Sequence, residues 1–262
     1  MQNDHQQSDL IAYEYPLNER IRTFLRLEFL FAQYRFGAAG ESAWHTRSAV
    51  AALLDVIALL SRSDIRSELQ KELDRIGSNL TNLQTQPQVD GDVLQPVLDE
   101  GKQLAQRLRE APTGLPEVIA NNEFLSTIEQ RAGILGGTCA FDLAGFHLWL
   151  ESPAATRQAQ LASWHSGLAL IDQGTAYVLR LLRGSADPIE KTAQAGSFQA
   201  MLDRSTRYQL LRVVLAKTKG CYPEISGSKH FCNIRFLEQP TQGERPQQVS
   251  EDVSFTLEQC VI

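Results

Sequence analysis

The sequence lacks the motifs of the commonest enzyme classes. It has no G-x-x-x-x-G-K-[ST] phosphate loop, no G-x-G-x-x-G, no H-E-x-x-H and no G-x-S-x-G. Each of these motifs supplies a particular phosphate, metal or nucleophile geometry, so their absence counts against the corresponding enzymes. No stretch approaches about 18 consecutive apolar residues, the length that a membrane-spanning helix needs. We therefore expect neither enzymatic activity nor membrane insertion.

Metal-ligating side chains are few and scattered. The five histidines have no mutual metal-ligand spacing. The four cysteines have no CxxC spacing, which favours free thiols in a reducing compartment over disulfides: Cys139, Cys221, Cys232 and Cys260. The polar N-terminus lacks the apolar segment of a signal peptide. The sequence predicts a cytoplasmic protein with no cofactor and no metal.

Charge is distributed unevenly along the chain. The 262 residues carry a formal net charge of -6, which argues against nucleic acid as the main partner. The segment from Arg204 to Arg235 is the opposite, because it holds seven basic residues and only Glu224 as an acid. Its cations are not interleaved with the exposed aromatic platforms that single-strand binders use. A protein or peptide partner fits this basic segment better than nucleic acid does.

The hydrophobic period changes at Pro16. Before it, Leu10 to Tyr15 alternates as a half-buried strand does, and after it the apolar residues recur at helical spacing. The same helical spacing predicts five helices before residue 138 and one long helix from Ala155 to Arg183. Residues 185–196 read as a linker or lid. Helix packed on helix is the economical way to bury so many apolar faces.

Strand patterns dominate the last third of the chain. Tyr208 to Ala216, His230 to Leu237 and the alternating residues around Phe255 predict antiparallel strands. Cys139 to Leu143 reads as a further strand, with a short helix or second strand after it. The predicted fold class is therefore α+β, with a mainly helical domain and a smaller antiparallel β domain assembled from discontinuous segments. The expected boundaries are 17–138 and 152–203 for the helical domain, and 10–16, 139–151 and 204–262 for the β domain.

Two arginines in the first helix are candidate anion ligands. Arg22 and Arg26 lie four residues apart, hence side by side on the helix surface, and Glu19 can offset only Arg22. A solvated charged face is the plainer interpretation of this pattern. The alternative is that two guanidiniums on an anchored helix bind carboxylates of a partner. His147 is similarly open to two interpretations, as a core-edge histidine with a satisfied hydrogen bond or as a partner-recognition residue.

Four blocks, in collinear order over nearly the whole chain, resemble the family of Z-ring-associated protein D (ZapD), a cytoplasmic bacterial cell-division protein. They are YEYPLNERIRTFLRLEFLF, RSELQKELDR, GILGGTCAFDLAGFHLWLE and CYPEISGSKHFCNIRF. The resemblance implies a homodimer with a helical domain and a β domain, found at the division site. It implies binding to the C-terminal tail peptide of FtsZ, the tubulin-like division GTPase. Two tail sites per dimer would cross-link and bundle FtsZ filaments and so stabilise the Z-ring.

The resemblance also implies a set of tail-binding residues, each inside or beside a matching block: Arg22, Arg26, Arg131, His147, Lys229 and Arg235. One departure occurs at residues 121–123, Asn-Asn-Glu, where the family often has basic residues. A basic contact is therefore not expected there.

Two other function classes remain open from the sequence. An enzyme would need His147 and the distant Asp142 to form an acid–base pair, and no nucleophile or cofactor loop accompanies them. A different protein- or nucleic-acid-binding adaptor would use the same basic β-domain surface. Nucleic-acid binding would show a steep dependence on salt concentration.

Overall fold

The computed structural model describes residues 9–84, 90–112, 114–228, 230–240 and 243–261. These residues form nine α-helices and eight β-strands, all paired antiparallel, so the α+β class is confirmed. Contacts divide the chain into two compact units. Unit 1 comprises Met1–Thr23 and Leu179–Ile262, and unit 2 comprises Phe24–Val178.

Unit 1 holds all eight of the strands. In chain order they are β1 (Leu10–Pro16), β2 (Ile189–Ala193), β3 (Ser197–Met201), β4 (Leu210–Ala216), β5 (Cys221–Gly227), β6 (Phe231–Glu238), β7 (Gln247–Gln248) and β8 (Val253–Cys260). Sheet A has the order β1-β4-β8-β2, and sheet B has the order β3-β6-β5 with β7 also paired to β6. Pro16 is tolerated at the end of β1 because β1 is an edge strand, where a missing N–H costs no ladder bond.

Apolar side chains from the two sheets of unit 1 share one core. Sheet A contributes inward-facing residues such as Val213 and Phe255, and sheet B contributes Ile234 and Phe236. These side chains alternate with more exposed ones along each strand, as the period of two predicts. Two sheets packed face to face by such alternation form a sandwich.

Unit 2 is built from helices. The helices of the chain are α1 (Glu19–Ala39), α2 (Ala43–Arg62), α3 (Ile65–Gln84), α4 (Gly91–Glu110), α5 (Glu117–Ala120), α6 (Glu123–Ala132), α7 (Ala144–Leu150), α8 (Ala154–Ser166) and α9 (Ala169–Gly184). The unit boundary falls inside α1 and α9. Side chains cap several N-termini: Ser42 accepts from the His45 N–H, and Asn122 accepts from the Leu125 N–H.

Helix α2 supplies much of the unit 2 core. Eight of its residues are buried, including Val50, Leu53 and Ile57. Among the described residues, α2 alone is long and apolar enough to cross a membrane by length and composition. A core helix of a folded protein passes the same test, and the burial of α2 against its neighbours accounts for its apolar character.

The predicted strand Cys139–Leu143 is wrong, since these residues form consecutive turns. The Cys139 N–H donates to the Gly136 carbonyl and the Leu143 N–H donates to the Cys139 carbonyl, so both amides are used locally rather than in a ladder. Gly136, at φ 71°, starts this path in the left-handed region. Helix α7 follows, and residues 139–151 add no strand to the sheets.

Two further segments differ from the prediction. The long helix expected over residues 155–183 is two helices, α8 and α9, separated at Gly167. A Cβ on Gly167 would lie 2.7 Å from the Pro116 Cβ, so that position requires glycine. Residues 189–193 and 197–201, for which the sequence predicts a linker and part of the helical domain, form the strands β2 and β3.

The free-thiol prediction is confirmed for all four cysteines. Cys232 and Cys260 are buried in unit 1, and Cys139 and Cys221 are half-buried. Burial raises the pKa of Cys260 to about 12, which keeps its thiol protonated at neutral pH. A protonated, buried thiol is inert as a nucleophile.

Candidate partner-binding site

The outer face of sheet B carries polar side chains that a partner could reach. Along β6 the residues Cys232, Ile234 and Phe236 are buried, so the alternate residues Phe231, Asn233 and Arg235 point away from the core. On β3 the register places Gln199 opposite Asn233 and Met201 opposite Phe231. A mixed polar and apolar surface thus covers β3 and β6.

Arg235, a predicted binding residue, lies on this outer face. Its guanidinium donates to the carboxylate of Glu224, which faces it across the β5–β6 pairing. Both side chains are about half exposed, and an ion pair so exposed contributes little to stability. Water or an incoming carboxylate can replace Glu224 at small cost. Arg235 is therefore positioned to bind an anion.

Two more cations follow β3. Arg204 and Arg207 are exposed, and the structure gives neither of them a partner among the residues that it describes. The neighbouring Asp203 forms no ion pair with either of them among the described residues, and its carboxylate accepts hydrogen bonds from Ser205 and Thr206. Those hydrogen bonds, first from the Ser205 hydroxyl, lower the pKa of Asp203. The segment after β3 therefore presents two exposed guanidiniums that have no ion-pair partner among the described residues.

Arg212 is different, although it belongs to the same basic segment. It donates to Glu14 at 2.9 Å and also to Glu258, while Arg183 donates to Glu14 at 2.7 and 2.8 Å. Burial alone would raise the pKa of Glu14, but the hydrogen bonds and charges of Arg183 and Arg212 outweigh it and lower that pKa. The acids come from β1 and β8, far away in sequence. A count of charges within residues 204–235 therefore overstates how basic the folded surface is.

The remaining predicted binding residue of unit 1 that the structure describes is Arg22. It is half-exposed near the start of α1 and pairs with Glu19 at 3.1 Å, as the spacing predicts. Lys229, also predicted, lies outside the described residues.

Three predicted residues belong to unit 2: Arg26, Arg131 and His147. All three are exposed. Arg26 has an interaction partner. His147 lies on the solvent side of α7, not at the edge of the core. No hydrogen bond or ion pair joins His147 to Arg131 in the part of the chain that the structure describes.

The sequence alternative of an acid–base pair finds no support in the geometry. The Asp142 carboxylate accepts from the Cys139 thiol at 3.5 Å, and no hydrogen bond to His147 is present among the described residues. No group of three or more histidine, cysteine or acidic side chains that could hold a metal ion occurs there either. The exposed cations are the side chains best placed to bind a ligand.

Unit 2 also exposes large aromatic side chains. Trp44 and Phe36 are 77% and 69% exposed. The Arg47 guanidinium lies 5.6 Å from the Trp44 ring centroid and 4.9 Å from that of Phe146, and it donates to the Thr138 carbonyl at 3.0 Å. We name Phe36, Trp44 and Arg47 the Trp44 surface. The sequence analysis did not predict the Trp44 surface. The feature that could have indicated it is a tryptophan in the first turn of a helix whose other apolar residues are mostly buried.

Comparison with known proteins decides the family. The model of the ZapD family, described as "Cell division protein", matches residues 25–235. The chain belongs to the ZapD family. Cell division protein ZapD of Methylococcus capsulatus is 43% identical over 252 residues, which cover 96% of this chain and 98% of the relative. Cell division protein ZapD of Ralstonia pickettii is 40% identical over 253 residues, covering 96% and 99%.

Membership in the ZapD family assigns the chain a role in cell division. The relatives are named as cell division proteins, and their names state no enzymatic activity. The resemblance read from four sequence blocks is thereby confirmed.

Proposed function

We propose that this ZapD-family protein is a non-enzymatic division factor that binds the C-terminal tail of FtsZ and cross-links FtsZ filaments. It acts in the cytoplasm at the division site, as a homodimer that bundles filaments and stabilises the Z-ring. The observation that carries the proposal is a set of exposed guanidiniums on unit 1: Arg204 and Arg207 have no ion-pair partner among the described residues, and Arg235 has only the half-exposed Glu224. Guanidiniums bind peptide carboxylates through paired, charge-assisted hydrogen bonds.

The residues implied by the family resemblance complete the proposed contact set. Arg22 of unit 1 and Arg26, Arg131 and His147 of unit 2 are exposed or half-exposed, so each can meet a peptide in solution. Lys229 belongs to the same proposal from sequence alone. An exposed charge on a binding surface mainly guides encounter and register, so single substitutions should weaken tail binding by different amounts.

The proposed homodimer forms through the Trp44 surface of unit 2. Large exposed aromatic side chains are costly in a monomer and are enriched at protein interfaces. Trp and Arg are also the side chains that dominate interface energies. Trp44→Glu should shift the protein to monomers in sedimentation velocity. Val93→Glu, which charges another exposed apolar position of unit 2, serves as the matched control and should leave the dimer intact.

Two tail sites in one dimer explain how weak binding becomes effective. A single short tail held by a few exposed cations should dissociate quickly, since exposed ion pairs contribute little each. A filament presents many tails, so the second site of a bound dimer finds its tail at high effective concentration. Trp44→Glu should therefore abolish bundling while leaving the affinity for a single tail unchanged.

The decisive experiment is a titration of the protein with full-length FtsZ and with FtsZ lacking its tail. Binding is expected only to the full-length protein. Arg235→Glu and the double variant Arg204→Glu/Arg207→Glu should each weaken binding at least tenfold. Lys102→Glu, an exposed cation on α4, is the charge-matched control for the single variant and should bind normally. Equal binding of the tail-less FtsZ would refute the proposal.

Co-sedimentation with filaments tests the residues implied by the resemblance one at a time. Arg26→Glu should abolish co-sedimentation without unfolding the protein. If a folded Arg26→Glu variant bundles filaments normally, the role of Arg26 is wrong. The alternative of a nucleic-acid adaptor predicts RNA or DNA binding that falls steeply between about 50 and 200 mM salt, and a gel shift at both concentrations distinguishes it.

A further inference from the structure

One edge of sheet B is open. Strand β3 pairs with β6 on one side, and no strand pairs with its other side among the described residues. The bonds at both ends of the pairing fix which backbone groups face that open side. The Leu202 N–H donates to the His230 carbonyl at 2.9 Å, and the Phe236 N–H donates to the Gly196 carbonyl at 2.8 Å.

Backbone groups alternate between the two sides of an antiparallel strand. Since residues 196 and 202 bond toward β6, the N–H and C=O groups of Gln199 and Met201 point away from β6, toward the open side. Neither residue has a backbone partner there in the part of the chain that the structure describes. Gln199 and Met201 thus offer two donors and two acceptors in the spacing of a further strand.

The side chains beside this edge form a surface for an apolar group. Met201 is 74% exposed and the facing Phe231 is 48% exposed. Together with Gln199 and Asn233 they line a depression of about 420 Å³. The Asn233 Oδ1 in its wall is shielded from solvent and has no hydrogen-bond partner among the described residues. A buried acceptor without a donor is costly, so the site gains from a ligand that brings an N–H group.

The positive charges next to the open edge of β3 favour an acidic peptide as the ligand of this edge. Arg204 and Arg207, both exposed and unpaired in the described chain, follow β3 directly. We propose that the open edge of β3 binds an extended peptide as an added strand, with an apolar side chain against Met201 and Phe231 and carboxylates toward Arg204 and Arg207. Strand addition supplies backbone hydrogen bonds for affinity and side-chain pockets for specificity.

A second copy of β3 fits this edge less well than an acidic peptide does. The strand sequence SFQAM contains no acidic residue, so pairing of two β3 edges would leave the arginines without carboxylates. The choice of the FtsZ tail as the bound peptide rests on the proposed function. The mode of binding, by strand addition at β3, rests only on the edge geometry.

Gln199→Pro tests the mode of binding. Proline removes one N–H, and at residue 199 that N–H points to the open edge, so the ladder to β6 is kept. We expect the affinity for a synthetic FtsZ tail peptide to fall at least tenfold in this variant of the full chain. Gln199→Ala keeps the N–H and should bind within twofold of the wild type.

Amide hydrogen exchange of the full chain gives a direct readout. Saturation with the tail peptide should slow exchange at Gln199 and Met201 at least tenfold, with little change at Phe198 and Ala200, which already bond to β6. Should Gln199→Pro unfold, tail peptides N-methylated at alternate residues replace it, and only one of the two alternating sets should lose binding.

The outcomes separate the two proposals. A wild-type protein that fails to bind the tail peptide refutes the proposed function, and the choice of peptide with it. Normal tail binding by folded Gln199→Pro, or no added protection at Gln199 and Met201, overturns strand addition and leaves the proposed function standing. If protection of the Gln199 and Met201 amides rises with protein concentration in the absence of peptide, peptide addition at β3 is overturned and the edge pairs with a second copy of the chain.

Discussion

Arg157 of unit 2 and the pair Arg183 and Arg212 of unit 1 are stabilised by different kinds of acceptor. In unit 2, Arg157 is only 5% exposed, yet among the described residues it has no acidic partner. It donates instead to the Leu150 carbonyl at 2.8 Å, to the Ser152 and Glu41 carbonyls, and to the Thr46 hydroxyl at 3.0 Å. In unit 1, Arg183 and Arg212 donate to the carboxylates of Glu14 and Glu258.

Secondary structure explains this difference. A helix leaves its last four carbonyls without internal partners, and their partial negative charge attracts a cation. Arg157 binds the carbonyls at the end of α7, and Arg66 binds those at the end of α4. Within a sheet the ladder uses the backbone carbonyls of central strands, so a cation over it needs carboxylates. The comparison predicts two different responses to substitution and to pH.

The largest effect is expected for Arg157→Met. The substitution leaves three carbonyls and a hydroxyl that lose their donor in a buried place, so the free energy of unfolding should fall by about 3 kcal/mol. Arginine stays charged and carbonyls do not titrate, so the loss should be the same at pH 5 and pH 8. Urea denaturation at both pH values measures it. Ala159→Met, which places the same side chain at an exposed position of the same helix, should change stability by less than about 0.5 kcal/mol.

Glu14→Gln should cost about 2 kcal/mol at pH 7, because it leaves Arg183 facing a neutral partner and leaves Arg212 with Glu258 as its remaining carboxylate. Here the loss should depend on pH. The folded-state pKa of Glu14 lies below its ordinary value of 4.5. Its stabilisation is therefore complete above pH 4.5 and is lost as pH falls through the folded pKa. Denaturation curves of the wild type and the variant should converge in acid, and a constant gap would contradict the carboxylate account.

Arg66→Met should destabilise unit 2 by about 1 kcal/mol, less than Arg157→Met does. Arg66 donates to the Leu108, Ala111 and Pro112 carbonyls, but it is half-exposed, so water can replace part of the contact. Amide exchange in the last turn of α4 should accelerate, while exchange in α2 stays unchanged. Equal acceleration in both helices would show that Arg66 does more than cap α4.

The smallest effect is expected for Glu224→Gln in unit 1. Its pair with Arg235 is about half exposed, so stability should change by less than about 0.5 kcal/mol. The variant matches Glu14→Gln in chemistry and differs from it in burial. Thermal denaturation of the two variants side by side measures how much burial of the carboxylate changes the contribution of its ion pairs to stability. A large loss from Glu224→Gln would mean that the outer face of sheet B is covered.

Local patterns in the sequence predicted the elements whose period is long and regular. β1, the first helices, β4, β6 and β8 lie where their alternation or helical spacing indicated. β2 and β3 escaped prediction because edge strands are short and half-polar, and a stretch such as IEKTA looks like a loop. The prediction of a strand at Cys139 was wrong because the apolar residues there resemble those of a strand. The backbone N–H groups of Cys139 and Leu143 instead form hydrogen bonds within turns.

The candidate site was predictable only in part. The strand predicted over His230 to Leu237 contains Arg235, which lies on the exposed side of β6, and the i,i+3 spacing correctly paired Arg22 with Glu19. Neutralisation of Arg212 depends on strands that are about 200 residues apart in the chain, and no local pattern reveals that. The open edge at Gln199 likewise depends on which strand pairs with which.

The order of strands in sheet A determines when β1 can pair during synthesis of the chain. β4 pairs on one side with β1, from residues 10–16, and on the other with β8, from residues 253–260. Residues 24–178 can fold while the ribosome is still adding the rest, since domains made early fold first. β1 must wait for its partner β4, which is made about 200 residues later. Until then its apolar side chains lack their sheet, so the nascent chain is most exposed to aggregation and to chaperones at its earliest-made strand.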